Sequence, residues 1–159
     1  MNYQIRYANI NDIDKIIYFI TELAIYEKML DEVVVTKELI NKWLFQEKIA
    51  EVIFVMEEDK EVGFALFFHN YSTFIGRAGI YLEDLYVLPQ YRHKGYGKAL
   101  IKYLANICIE RKCGRFEWCC LDWNKPSIDF YLSLGAKPMN EWTTYRLDGK
   151  ALIELACEK

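Results

Sequence analysis

The stretch Gly79-Ile80-Tyr81-Leu82-Glu83-Asp84-Leu85-Tyr86-Val87-Leu88-Pro89-Gln90-Tyr91-Arg92-His93-Lys94-Gly95-Tyr96-Gly97-Lys98 decides the fold. Its first half is apolar, aromatic and β-branched enough for a strand, yet two adjacent carboxylates, Glu83 and Asp84, interrupt it. Side chains alternate faces along a strand, so one acid is expected on each face. The second half is a basic turn, Arg92-x-x-Gly95-x-Gly97, that runs into the helical pattern Ala99, Leu100, Leu104, Ala105, Cys108. A strand, an anion cradle and a helix start therefore follow one another in the chain.

Phosphate binding accounts for this spacing. A helix start offers unpaired N–H groups and the positive end of the helix dipole, and glycine lets a ligand approach them closely. Arg92 and Lys94 add charge that suits a pyrophosphate. A glycine-rich turn with solvated basic residues is the plainer reading of the same residues. An ATPase-type loop is disfavoured because Gly97-Lys98-Ala99 lacks the hydroxyl for magnesium. A dinucleotide fingerprint stays open: Leu100 stands where its third glycine belongs, but Asp122 follows the next strand about where a ribose-binding acid would sit.

Working outward, residues 3–7 alternate as a short strand, and Asn11 is expected to cap a helix with Ile13, Ile16, Ile17, Ile20, Leu23 and Ala24 on one face. Thr36 is the expected cap of a second helix through about Gln46. Strands at 50–57 and 61–70, joined by the polar turn Glu58-Asp59-Lys60, form an antiparallel hairpin, and the central strand completes a meander after a loop at 71–78. The helix after Gly97 should run to about Lys112, with Gly114 ending it. A strand at 115–121, reached through that helix, should lie parallel to the central one. Asn124 caps a short helix closed by Gly135, a strand at 142–147 follows, and a terminal helix at 149–158 takes Asp148 as cap. The expected fold is a helix-flanked mixed α/β sheet, antiparallel at its N-terminal strands with a parallel central pair.

Its 159 residues are read as a single domain, 1–159, and the 53% hydrophobic content suits a packed core with no linker. A net charge of −3 disfavours nucleic acid and is compatible with a cationic substrate. Five irregularly spaced cysteines and two histidines match neither a zinc site nor a disulfide framework, so no metal is expected. No run has signal or membrane-spanning character, which points to the reducing cytoplasm and to no membrane partner.

The strand ending Leu82-Glu83-Asp84-Leu85-Tyr86-Val87, then Pro89-x-Tyr91-Arg92-x-x-Gly95-x-Gly97, then Asp122-Trp123-Asn124-x-Pro126-Ser127-x-x-Phe130-Tyr131-x-x-x-Gly135-Ala136 resembles the GNAT superfamily of acetyl-CoA-dependent N-acetyltransferases. Within it the likeness is to the diamine group, which holds spermidine/spermine and thialysine N-acetyltransferases. It covers nearly the whole chain, including Glu22-Leu23-Ala24-x-Tyr26-Glu27. The resemblance implies that backbone groups of Leu85, Tyr86 and Val87 bind the pantetheine arm of acetyl-CoA like an added strand. His93, Lys94, Gly95, Tyr96, Gly97 and Lys98, with Arg92 beside them, would hold the pyrophosphate, and Asn124, Pro126, Ser127 and Tyr131 would line the cofactor's other side. Glu83 would be the acid near the attacking amine and Tyr131 the proton donor to the departing thiolate. Tyr26, Glu27, Glu83, Asp84, Glu117, Trp118 and Cys119 would contact a small cationic amine. A homodimer is also implied. One departure is His93, where many members of the diamine group carry glycine.

The chemistry asks for a base. An alkylammonium of pKa about 10.4 is neutral in only about one molecule in a thousand near pH 7, a cost of roughly 4 kcal/mol. Glu83 with an ordinary carboxylate pKa would need burial, or would act through water; pairing with a basic neighbour is the plain structural alternative for both Glu83 and Asp84. Asp31 and Glu32 extend the acidic set. Cysteine nucleophilic catalysis at Cys119 or Cys120 finds no obvious histidine partner. A binding module that senses acyl-CoA or polyamine without turnover is the alternative to an enzyme.

Overall fold

Period-two alternation becomes a five-stranded sheet in the order β1-β2-β3-β4-β5. The strands are β1 (Gln4–Tyr7), β2 (Glu51–Glu57), β3 (Lys60–Ser72), β4 (Arg77–Val87) and β5 (Phe116–Trp118). They come from a computed structural model that describes residues 3–158. The pairs β1–β2, β2–β3 and β3–β4 are antiparallel, and β4–β5 is parallel. The mixed sheet is therefore as the sequence implies, with the hairpin turn tightened to Glu58 and Asp59 and the loop at 71–78 shortened by longer β3 and β4.

Both faces of the sheet are covered. Helix α1 (Ile13–Glu27) and the short α2 (Lys37–Ile40) pack on the face that carries Val52, Phe54, Phe64 and Tyr86. Phe19 of α1, absent from the expected apolar stripe, is almost wholly buried, with its ring 5.7 Å from Phe54 and 5.2 Å from Phe64. Burial of such a ring contributes about 1.5–3 kcal/mol. Alternation sends Ile53, Val55, Ala65 and Phe67 to the opposite face, where α3 (Tyr96–Glu110) contributes Leu100, Leu104 and Ile107.

Local polar chemistry moves some boundaries. Asn11 does not cap α1: Asn9 accepts from the Asn11 N–H at 2.9 Å, and the Asn9 N–H donates to Asp12, so a 3-10 turn precedes a helix that starts at Ile13. Asp12 is anchored there by two bonds from Arg6, at 2.7 and 2.8 Å, while Glu61 on β3 accepts from Arg6 and Lys15. The Arg6 guanidinium holds the Asp12 carboxyl down to about 2. Thr36 caps α2 by accepting from the Leu39 N–H, but the single helix expected through Gln46 gives way to a wider turn over Asn41–Gln46. Its bonds reach five residues back, as from Glu47 to Lys42. The extra residue keeps Leu39, Ile40, Trp43 and Leu44 around an apolar recess of about 470 Å³ that Ile20 and Val33 also line.

Helix α3 begins one residue before Gly97 and stops before Lys112, which takes the left-handed φ of 56° in place of Gly114. Gly114 serves packing instead, since a Cβ there would lie 2.3 Å from Ile75 Cδ1. Strand β5 ends at Trp118, short of the expected 121, because its ladder stops at Leu82, where β4 changes register.

The chain divides after Cys119 into two compact units. The second holds α4 (Lys125–Ser133) and α5 (Gly149–Cys157). Asn124 caps α4 by accepting from the Ser127 N–H at 3.4 Å, and Gly135 takes the left-handed φ of 85° after it. The strand expected at 142–147 does not form: no ladder partner pairs with it among the described residues, and Trp142 and Tyr145 are exposed. Aromatic and β-branched content favours a strand only where a neighbour supplies the ladder. Asp148 precedes α5 in extended backbone, but its side chain accepts no capping bond.

Candidate active site

One extra residue in β4 shapes the site. Leu82 pairs with Phe67 and Asp84 with Leu66, so Glu83 has no partner on β3 and forms a β-bulge. On the other side, β4 pairs with β5 only from Ile80 to Leu82. Beyond the bulge no strand among the described residues pairs with the outer edge of β4, which leaves that edge open. The Leu88 N–H bonds back to Val62 on β3, whereas the Val87 carbonyl faces outward and accepts from Arg92 Nε at 3.0 Å. By the strand's period of two, the backbone groups of Leu85 share that outward edge with those of Val87, and those of Tyr86 face β3.

The edge leads into the cradle. His93 and Gly95 take left-handed φ values of 60° and 81° on either side of Lys94, the sort of backbone that turns successive N–H groups inward. Residue 93 is a position where glycine would be unstrained. The first bond of α3 runs from Ala99 N–H to the Gly95 carbonyl, which leaves the N–H groups of Tyr96, Gly97 and Lys98 at the helix start. Tyr96 is buried, and its hydroxyl donates to Glu57; that bond pushes the phenol up to about 12. Lys94 is exposed and reaches Glu57 at 3.3 Å.

Arg92, expected beside the pyrophosphate, also has partners within the protein. Besides bonding Val87, its guanidinium lies over the rings of Tyr26 at 4.7 Å and Tyr86 at 5.2 Å. It ties the end of α1 to β4, so its charge is used for cation–π and carbonyl contacts.

The acids gather at the bulge. Burial pushes the Asp84 carboxyl up to about 7, with the charges of Glu83 and Glu27 adding to the shift. Burial also raises Glu27. Glu83 itself is exposed. The burial that a direct base requires thus falls on Asp84. Tyr26, Glu27, Glu83, Asp84, Tyr86 and Arg92 form one neighbourhood, while Asp31 and Glu32 lie on an exposed turn after α1.

Glu117, on β5, accepts from Asn70 at 3.0 Å and pairs with Arg115 at 2.7 Å. Trp118 packs edge-on against Phe116. Cys119 accepts from the Tyr81 hydroxyl at 3.0 Å. Tyr81, absent from the expected site, has its phenol pushed far up by burial, then by Cys119 and the charges of Glu83 and Glu117. Its position two residues before Glu83 was the available signal. In the second unit, Pro126 and Ser127 occupy the first turn of α4, and Tyr131 is half-buried with its ring 5.4 Å from Phe130.

A strand edge that can take one more hydrogen-bonded partner, leading to a helix start that attracts phosphate, suits an extended phosphorylated carrier. The class so defined is an acyltransferase. Comparison with known proteins gives the family: residues 17–136 match the model of the Acetyltransferase (GNAT) family, and the chain belongs to it. It is an N-acetyltransferase, and the family's co-substrate is acetyl-CoA. The chain is 38% identical over 164 residues to the thialysine N-epsilon-acetyltransferase of Sus scrofa, covering 96% of each. It is 33% identical over 168 residues to the spermidine/spermine N(1)-acetyltransferase-like protein 1 of Homo sapiens, covering 99% of this chain and 24% of that protein. Among solved structures, an integron cassette protein of V. cholerae superposes with a TM-score of 0.84 at 29% identity, covering 99% of both chains.

Proposed function

We propose that the protein transfers the acetyl group of acetyl-CoA to a primary amine of a small acceptor that carries further charge, of the thialysine, lysine-like or polyamine kind. The observation that carries this reading is the trio Glu27, Glu83 and Asp84 at the bulge, where negative charge favours a cationic acceptor and Asp84 can hold a proton near neutrality. Leu85 and Val87 bind the pantetheine arm at the open edge. The turn 93–98 binds the pyrophosphate, with Lys94 released from Glu57 to meet it. Arg92 and Tyr86 position Tyr26 against the acceptor, and Tyr81 of β4 borders it together with Glu117 and Trp118 of β5 and Cys119 just after that strand.

The ammonium of the acceptor gives its proton to Asp84, and Glu83 keeps the approaching charge attracted. The free amine attacks the thioester carbonyl, the C–S bond breaks, Tyr131 donates its phenolic proton as the thiolate leaves, and the second proton shed by the new amide nitrogen passes through solvent to restore the phenol. Asn124, Pro126 and Ser127 flank the co-substrate beside Tyr131. Support for a single functional domain, 1–159, comes from the family match, which runs across the division after Cys119.

An amine panel tests the reading. With acetyl-CoA present, free CoA thiol should appear with thialysine, lysine and polyamines, and much more slowly with a monoamine of equal length. Tight acetyl-CoA binding without thiol release from any amine would instead favour the sensing module. Equal turnover of the monoamine would remove the acidic trio from recognition.

The reading also includes a homodimer in the cytoplasm. Its support is the exposed apolar side chains of Tyr145, Leu152, Ile153 and Leu155 in the C-terminal segment. Light scattering at micromolar concentration that returns the monomer mass of 18.9 kDa would overturn the dimer.

A further inference from the structure

Helix α3 ends in a way that brings two cysteines together. The Cys113 N–H donates to the Cys108 carbonyl at 2.8 Å as Lys112 turns left-handed between them. With ordinary backbone bond lengths, that contact keeps the two Cα atoms within about 7 Å of each other, inside the reach of a disulfide. The Cys108 thiol donates to the Arg115 carbonyl at 3.5 Å, two residues beyond Cys113, and the neighbouring Cys113 thiol adds to burial in raising the Cys108 thiol. Cys108 is buried and Cys113 half-buried, so a reagent reaches Cys113 first.

A relay of side chains frames the outer thiol. Cys113 Sγ lies 3.8 Å from Nδ1 of His69 on β3. His69 Nε2 is 2.9 Å from Arg111 Nη1, and Arg111 makes two bonds to Glu51. A guanidinium only donates, so Nε2 accepts and the ring proton sits on Nδ1. There it is 3.0 Å from the Gly79 carbonyl and also faces the Cys113 sulfur. A thiolate formed at Cys113 thus meets a fixed N–H donor. None of these residues has a part in the acetyl transfer described above.

We propose that Cys108 and Cys113 form a dithiol–disulfide couple that exchanges with small-molecule disulfides of the glutathione type, Cys113 attacking and Cys108 resolving. In the first step the Cys113 thiolate attacks one sulfur of the small disulfide, the S–S bond breaks, and one small thiolate leaves. In the second step the Cys108 thiolate attacks the Cys113 sulfur, the mixed disulfide breaks, and the second small thiolate leaves. The two protons lost by the cysteines end on the two small thiols, so the dithiol is oxidised by two electrons and the small disulfide is reduced by two.

The test uses the full chain incubated with glutathione disulfide, quenched by alkylation and mapped by peptide mass. The expected product is a cross-linked Cys108–Cys113 peptide, lighter by about 2 Da than the dithiol pair. Cys108→Ser should leave a stable glutathione adduct on Cys113, and Cys113→Ser should leave Cys108 free for alkylation after unfolding. His69→Ala should slow capture at Cys113 by about two- to tenfold, the worth of one hydrogen bond, with capture at the exposed Cys157 unchanged. Adducts on Cys119 and Cys157 while Cys108 and Cys113 both remain alkylatable would overturn the proposal. So would a wild-type adduct on Cys113 that never resolves to the cross-link.

Discussion

Asp84→Asn should lower turnover of the amine by about a hundredfold or more, the usual scale for loss of a positioned base, while making the folded protein more stable at neutral pH. The two effects have opposite signs for one physical reason. In the folded protein the Asp84 carboxyl is pushed up to about 7 by burial and by its acidic neighbours. A carboxyl raised on folding contributes its full stability below the ordinary carboxylate range, and that contribution is lost as pH rises to about 7. Asparagine mimics the protonated form at every pH. Unfolding midpoints should therefore coincide for variant and wild type near pH 4, separate in favour of the variant as pH rises, and stay a constant distance apart above 7. The acidic limb of the kcat/KM profile near pH 7 should vanish in the variant. A variant that loses stability and turnover together would mark Asp84 as structural and return the base role to Glu83.

Tyr131→Phe should lower kcat by about ten- to a thousandfold with acetyl-CoA affinity nearly unchanged, as expected for loss of a transition-state donor. Phenylalanine keeps the ring that packs against Phe130 and removes only the hydroxyl. If the ring alone matters, neither kcat nor the melting temperature will move. If the hydroxyl belongs to the fold, the melting temperature will drop and turnover per folded molecule will hold. The proton-donor role stands on a fall in kcat at unchanged melting temperature, and wild-type turnover would leave thiolate departure to solvent.

The parts of the fold that rest on local periodicity were legible in the sequence. The β2–β3 hairpin shows in its alternation and its short polar turn, and the parallel β4–β5 pair follows from a helix interposed between two strands. The cap at Asn124 was legible because a capping bond spans only three residues. What depends on distant neighbours was not legible. The stacking of Arg92 on Tyr26, far away in the chain, cannot be read from the basic turn that holds it. Glu83 and Asp84 are chemically alike as letters, and only burial, with the charges of Glu83 and of Glu27 brought in from α1, pushes the Asp84 carboxyl up. Residues 142–147 have the composition of a strand, but pairing is a property of two segments, and composition describes one.

The unpaired residue in β4 acts as a phase shift. Before it, even-numbered residues aim their backbone at β5, as the Ala78 carbonyl and Ile80 N–H do in bonding Gly114 and Arg115. After it, odd-numbered residues face that side, as the Val87 carbonyl does. Changing the side chain at position 83 alters a charge and leaves this parity alone. Were residue 83 instead given a partner on β3 in a straight strand, Tyr86 would turn its amide outward in place of Leu85 and Val87, and side chains beyond the junction would exchange faces; deleting it leaves Leu82, Asp84, Leu85 and Tyr86 against Phe67, Leu66, Ala65 and Phe64 in an unbroken ladder, with Leu85 and Val87 still outward. At this one position, then, the extra residue adds a kink and an acid, while the pairing with β3 fixes which backbone groups stay free.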